Sequence, residues 1–189
     1  MHRRSFLVLA GGAALGLATG RSLAQGGAEM APLMTHDVVV TRTFDASPEE
    51  VWRAWTEDAY VMRWWGPDGF SSPAAHMDVR VGGTSLVAMR SPDGKDMWMS
   101  WAYTRVEPHS RIEYVQNLAD ASGALIDPGS VGLPPEFPRD VATVVTLTPA
   151  GGQTTVTITE RTTTSELMMK MSQMGLEQCL DKMGLIFAR

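Results

Sequence analysis

The sequence predicts an α+β domain, an antiparallel sheet packed on helices. Three observations predict it. Six segments of period-two character follow one another between residues 74 and 160, separated by turn residues. A strong helix-start signal follows the first strand-like segment. A long stretch with helical apolar spacing ends the chain. Strands in one run, with helices at its ends, argue for a segregated sheet rather than alternating βαβ units.

The elements follow in order. Residues 36–44 are rich in β-branched side chains and read as a strand. Ser47, Pro48 and Glu50 then supply an N-cap, a first helical residue and a capping-box partner, so a short helix is expected over 48–56. Val51, Trp52 and Trp55 share its apolar face. A second short helix is expected over 59–65, stopped by Gly66-Pro67. Strands are expected at 74–79, 85–90, 97–106, 111–118, 142–148 and 154–160, with Gly82-Gly83, Ser91-Pro92-Asp93-Gly94, Glu107-Pro108 and Gly151-Gly152 turning the chain. Residues 119–138 hold Gly123, Asp127-Pro128-Gly129 and Pro134-Pro135 without periodicity, the mark of a functional or mobile loop. The last helix is expected over 165–187. Leu167, Met168, Met171, Met174, Leu176 and Cys179 lie on one stripe, which Met183 and Ile186 continue.

The first residues follow a different logic. Arg3-Arg4 precede Ser5-Phe6-Leu7, a Gly- and Ala-rich apolar run, and Ser22-Leu23-Ala24, a small-x-small cleavage shape. The paired arginines resemble a twin-arginine signal over 1–24, which implies a periplasmic or secreted mature protein. The apolar run is short of the roughly 20 residues a membrane span needs. A flexible leader is expected at 25–35 and one domain at 36–189. The whole chain has 16 basic and 21 acidic residues, net −5. Losing Arg3, Arg4 and Arg21 would leave 13 basic residues and a net charge of −8. Such an acidic chain is a poor partner for nucleic acid or anionic lipid. Cys179 is the only cysteine, so no internal disulfide can form.

Several stretches carry a resemblance: Arg42 through Trp55, Trp64-Trp65-Gly66-Pro67-Asp68-Gly69-Phe70, and Asp78-Val79-Arg80-Val81-Gly82-Gly83. Met89 through Gly94, Glu107 through Ile112, and Leu180-Asp181-Lys182 follow in order. With these the chain resembles the bacterial proteins related to the C-terminal domain of the activator of the heat-shock-protein-90 ATPase, within the START-like, polyketide-cyclase superfamily. The resemblance spans residues 38–185. It implies the helix-grip fold, a curved sheet wrapped around a long C-terminal helix. The family mixes ligand carriers, chaperone partners and members of other roles, so it does not fix the activity. One departure stands out. Where the family commonly has Gly-Trp in the last helix, this chain has Gly175-Leu176. Loss of that indole leaves room under the helix unless methionines fill it.

By the same resemblance, the second short helix and its turn sit at one mouth of the cavity between sheet and helix. Trp64 or Trp65 then closes the core at that end, and Phe70 returns across the opening. Either both tryptophans are core plugs, or helix direction makes Trp64 the plug and Trp65 a rim residue. Strand parity supplies the rest of the lining. Met97, Met99, Trp101 and Tyr103 share the larger, more apolar face of their strand and are aimed inward, with Trp98 outward as a possible contact patch. Ser85, Val87, Met89, Ile112, Tyr114, Gln116, Val145, Leu147, Val156, Ile158 and Glu160 are aimed inward too. Opposite them stand Met168, Met171 and Met174, giving an adaptable thioether wall or a dry methionine core. The candidate ligand-binding set is Trp65, Phe70, Met89, Met99, Trp101, Tyr103, Tyr114, Gln116, Glu160, Met171 and Met174.

Other chemistries find little footing in the residues. His36, His76 and His109 lie on separate elements without ligand spacing. No G-x-S-x-G elbow and no phosphate-binding glycine loop occur. No cofactor, metal or catalytic residue is expected. The leading expectation is an exported domain holding a small hydrophobic molecule. The alternatives are a cyclase- or hydrolase-like enzyme using Tyr103, Tyr114 or Glu160 as acid or base, and an interaction module with a protein partner such as a chaperone.

Overall fold

The computed structural model describes residues 32–188. The expected signal at 1–24, and the leader up to residue 31, lie outside the described residues. The order is β1 (Met34–Phe44), α1 (Pro48–Thr56), α2 (Asp58–Trp64), β2 (Ala75–His76), β3 (Thr84–Arg90), β4 (Asp96–Glu107), β5 (Arg111–Ala119), a 3₁₀ turn (Pro128–Val131), β6 (Val141–Ala150), β7 (Gln153–Thr164) and α3 (Glu166–Phe187). Among the described residues the strands form one seven-stranded sheet in the order β1-β7-β6-β5-β4-β3-β2. Every neighbouring pair is antiparallel. This is the expected α+β helix-grip arrangement, with the chain's first strand paired to its last. Among the described residues no helix is long and apolar enough to cross a membrane.

Local chemistry explains the helix ends. Ser47 Oγ accepts from the Glu50 N–H at 3.3 Å, and Glu50 Oε2 accepts from the Ser47 N–H at 2.8 Å, completing the capping box. Pro48 occupies the first turn, where no intrahelical partner for its nitrogen is needed. α1 buries Val51, Ala54 and Trp55. Trp52 is only half-buried and instead stacks on His109, ring centroids 5.7 Å apart. α2 ends because Trp65 takes an extended conformation, φ −67° and ψ 133°. Ser165 caps α3 by accepting from the Met168 N–H at 3.3 Å.

Most boundaries shift by one or two residues, and three differences have a clear physical cause. β1 starts at Met34 rather than residue 36, because β7 continues to Thr164 and offers Met34 and Thr35 partners in Thr164 and Thr163. β7 outruns its expected end for the same reason, on a further run of β-branched threonines. β2 shrinks to Ala75–His76. Its expected continuation instead bends around Asp78, whose N–H donates to Ser85 Oγ at 3.0 Å and whose Oδ1 accepts from Arg80 Nε at 2.9 Å. Gly83 must be glycine there, since a Cβ would lie 2.3 Å from the Asp78 carbonyl oxygen.

The core lies between the concave sheet face and the helices. Parity holds along the strands: Ser85, Val87, Trp101, Tyr103, Ile112, Tyr114, Val145, Leu147, Val156, Ile158 and Glu160 are all buried. The α3 stripe holds only in its second half. Leu176, Cys179, Leu180 and Met183 are buried, whereas Leu167, Met171 and Met174 are 65%, 50% and 53% exposed.

Trp64 is fully buried, its indole N–H donates to the Ala54 carbonyl at 2.7 Å, and its ring meets Trp55 at 4.7 Å. Trp64→Ala is expected to cost about 3–5 kcal/mol in a urea melt, as for other large buried aromatics. A loss below about 1 kcal/mol would show that the α1–α2 junction does not depend on this plug.

Candidate functional site

The site begins at the turn after α2. Gly66 has φ +102°, which suits glycine, and a Cβ there would press to 3.2 Å from the Phe70 Cβ. The turn has few partners of its own, apart from the Phe70 N–H donating to the Pro67 carbonyl at 2.9 Å. α3 supplies the rest. Lys182 Nζ donates to the carbonyls of Gly66 at 2.6 Å, Pro67 at 3.2 Å and Phe70 at 2.9 Å. Its three N–H donors thus match three acceptors. One helical turn earlier, Gln178 Oε1 accepts from the Asp68 N–H at 3.0 Å. The Trp-Trp-Gly-Pro-Asp-Gly-Phe turn is therefore fastened to the last helix.

This turn places Trp65, which is 6% exposed. It is a buried inner wall, closer to the core reading of the tryptophan pair than to the rim reading. Its ring stands edge-on to Trp101, centroids 4.8 Å apart and planes at 81°. Trp101 stacks on Tyr114 at 5.0 Å, and its indole N–H donates to Gln116 Oε1 at 2.8 Å. Tyr114 meets Tyr103 edge-on at 5.9 Å, and Tyr103 Oη shares a hydrogen bond of 2.7 Å with Ser85 Oγ. With Trp55 and Trp64, these rings fill one end of the concavity.

The other end is open. A cavity of about 870 Å³ lies between the sheet, the 120–138 loop and the first half of α3. Gly175 borders it, and a Cβ on Gly175 would meet nothing within 4 Å. The lining is largely apolar: Trp65, Phe70, Met89, Met97, Met99 and Leu118 from one side, Met168, Met171, Leu176 and Cys179 from α3. The loop contributes Ile126, Val131, Leu133 and Phe137. It is built rather than loose. Arg139 pairs with Asp127 at 3.0 Å, and Thr164 Oγ1 donates to the Glu136 carbonyl at 2.5 Å. Asp140, at φ +48°, exchanges two 2.9 Å hydrogen bonds with the Asn117 side chain.

Polar residues also border this space: Ser91, Lys95, Asp96, Asp120, Thr162 and Ser172, besides Gln116 and Glu160. Gln116 borders it with its amide oxygen already engaged by Trp101. Glu160 borders it too, 4% exposed, and its Oε2 accepts from Ser172 Oγ at 2.7 Å. No cation pairs with Glu160 among the described residues, so burial pushes its carboxyl above the ordinary range while the Ser172 bond opposes this. Burial likewise pushes the Cys179 thiol up to about 11, which keeps it a thiol at neutral pH.

Of the residues proposed from sequence, Trp65, Phe70, Met89, Met99, Gln116, Glu160 and Met171 border the cavity together. Trp101, Tyr103 and Tyr114 do not. They point inward as parity requires, but their rings stack on one another and stand behind the wall. Met174 points into solvent. Trp98 stacks on His76, planes 8° apart, and also touches the cavity mouth. The loop residues Ile126, Val131, Leu133 and Phe137 were not foreseen, although apolar residues inside a Pro- and Gly-rich loop were the available signal.

A curved antiparallel sheet gripping a long C-terminal helix around an apolar cavity defines a START-like helix-grip domain. The family described as Activator of Hsp90 ATPase homolog 1-like protein matches residues 45–188, and the chain belongs to it. Solved structures agree on the fold. A protein from Chromobacterium violaceum is 22% identical with a TM-score of 0.66, over 80% of this chain and 96% of its own. A protein from Arthrobacter aurescens is 25% identical with a TM-score of 0.65, over 80% and 85%. The AHSA1 protein from Silicibacter pomeroyi is 19% identical with a TM-score of 0.64, over 80% and 96%. Among curated proteins, none matches this sequence significantly.

Two expectations follow. Lys182→Met leaves three carbonyls without their charged donor, and should cost about 2–3 kcal/mol in a denaturant melt. An unchanged melt would mean that water replaces the ammonium. The second concerns Glu160, whose carboxyl stays protonated to higher pH in the folded chain than its ordinary value of 4.5. Above that value the unfolded chain binds fewer protons than the folded one, so stability falls as pH rises through the folded value. Glu160→Gln removes this loss and should gain stability relative to the parent between about pH 4 and about pH 7. An identical difference at both pH values would contradict the buried, unpaired carboxyl.

Proposed function

We propose that this protein is an exported binding protein that holds a small apolar molecule between its sheet and its last helix. The observation that carries the reading is the cavity of about 870 Å³ beside Gly175, open where the family's usual indole is missing. Its volume lies within the roughly 300–1,000 Å³ typical of small-molecule sites, and its lining is mostly apolar with a few polar groups. Methionines at Met89, Met97, Met99, Met168 and Met171 suit a ligand of flexible or variable shape. Export is part of the proposal through Arg3-Arg4-Ser5-Phe6-Leu7 and the run that follows.

A second reading, an interaction module acting on a chaperone ATPase, is favoured by the family's own description. Cell fractionation separates the two: mature protein confined to the cytoplasm would remove the export claim and favour the second reading. Ligand binding is tested by native mass spectrometry of the purified chain for a co-purifying small molecule. Titration with an apolar probe dye, 1-anilinonaphthalene-8-sulfonate, accompanies it on the parent and on Gly175→Trp. The new indole enters open space, so it should weaken dye binding by about tenfold or more while leaving stability within about 1 kcal/mol. A loss of about 1–3 kcal/mol with unchanged dye affinity would mean that the space is already filled and is not the binding site.

A further inference from the structure

Four polar side chains of the sheet border the cavity, Asp96, Gln116, Glu160 and Thr162. Asp96 pairs with Arg90, and Thr162 Oγ1 donates to the Arg139 carbonyl at 3.5 Å. Gln116 Oε1 accepts from Trp101 Nε1 at 2.8 Å, which leaves its amide N–H groups as the free end. Glu160 Oε2 accepts from Ser172 Oγ at 2.7 Å, and Oε1 has no partner among the described residues. Both residues border the same cavity. The sheet register sets them on one face. Gln116 lies opposite Val141, and Glu160 lies opposite Thr143, two residues further along β6. They therefore stand on the same face of the sheet, on β5 and β7 with β6 between them, offset by two residues.

We infer that this wall selects apolar ligands carrying uncharged oxygen acceptors, such as ketones, esters or lactones, with Gln116 and Glu160 as the hydrogen-bond donors. The inference rests on the apolar-ligand reading above and specifies its chemistry. Tying up Gln116 Oε1 turns a two-way amide into a donor. Glu160 works the same way in its protonated form. Burial without a cation favours that form, and Ser172 occupies Oε2, which leaves Oε1 to carry the donating hydroxyl. In a mostly apolar lining each of these bonds counts, because an acceptor-free ligand would leave the donors unmet.

The test uses three naphthalene probes of similar shape: 2-acetylnaphthalene, 2-isopropylnaphthalene and 1-(2-naphthyl)ethylamine. Each is titrated calorimetrically into the full chain and into Glu160→Leu, Glu160→Gln and Gln116→Met. The quantity read is the ketone affinity divided by the hydrocarbon affinity. The ratio should fall by about fivefold in Glu160→Leu and in Gln116→Met. It should stay within about twofold in Glu160→Gln, where an amide N–H replaces the acid hydroxyl. Hydrocarbon binding to the parent reads the apolar cavity by itself. If both neutral probes bind and the ratio moves in no variant, the donor assignment is overturned while the apolar-ligand reading stands. If the amine binds most tightly and Glu160→Gln abolishes this, Glu160 is an anionic partner and the assignment is overturned in favour of cationic ligands. If no probe binds, both are overturned. Should Glu160→Leu fail to fold, Gln116→Met carries the same comparison from β5.

Discussion

One ammonium group holds the site together. The turn after α2 turns its carbonyls toward α3, where solvent is scarce and no strand offers N–H partners. Buried backbone acceptors must find donors, and Lys182 meets those of Gly66, Pro67 and Phe70 at once. The consequences run outward along named contacts. The fixed turn places Trp65, Trp65 meets Trp101 edge-on, and Trp101 orients both Tyr114 and the Gln116 amide. The donor face of Gln116 is thus set by a lysine that never touches it. Asp181, the residue before the lysine, pairs with Arg42 of β1 at 2.6 Å. That pair is exposed and contributes little by itself, but it ties the same turn of α3 to β1.

The cavity follows from an uneven distribution of side-chain volume under the helix. A curved sheet leaves a concavity that one helix cannot fill. At the α1–α2 end, Trp55, Trp64, Trp65 and Trp101 interlock and leave no gap, with Trp55 and Trp64 4.7 Å apart. Beneath the first half of α3 the facing residues are Met168, Met171, Ser172 and Gly175. Flexible or small side chains there do not reach the sheet, and Gly175 offers no side chain at all. The loop of residues 120–138 then walls the space rather than plugging it. Its anchors, Asn117 with Asp140 and Thr164 with the Glu136 carbonyl, grip its ends and leave Ile126, Leu133 and Phe137 to line the void.

This division also explains what could be read from the sequence. Caps and strand parity are local, so the element order, the helix starts and the inward sets of β3 to β7 were legible. The family resemblance over residues 38–185 was legible for the same reason: its motifs are short runs in fixed order. Whether an inward residue touches space or another ring is not local. Trp101, Tyr103 and Tyr114 have the parity of lining residues but spend their surfaces on one another. Met174 falls on the apolar stripe by spacing, yet the first half of α3 stands away from the sheet and leaves it exposed. The loop carried no period at all, so its lining residues could be found only from the fold. Sequence left Trp65 open between plug and rim because its position depends on Lys182, more than a hundred residues away in the chain.

Glu160 is the part of this arrangement that packing alone does not explain. A buried carboxyl is costly unless paired or neutral, and Ser172 satisfies only one of its oxygens. Its row across the sheet runs through Thr143 on β6 and Tyr114 on β5, hydroxyl-bearing residues that tolerate a neutral acid better than an ion. A leucine at this position would close the wall with less expense if the cavity existed only to collect hydrocarbon. On the proposed reading, an acid kept among hydroxyls, aromatic rings and a protonated thiol gives the apolar space a polar point, and a ligand that fits it by shape would be further sorted by where its oxygen lies.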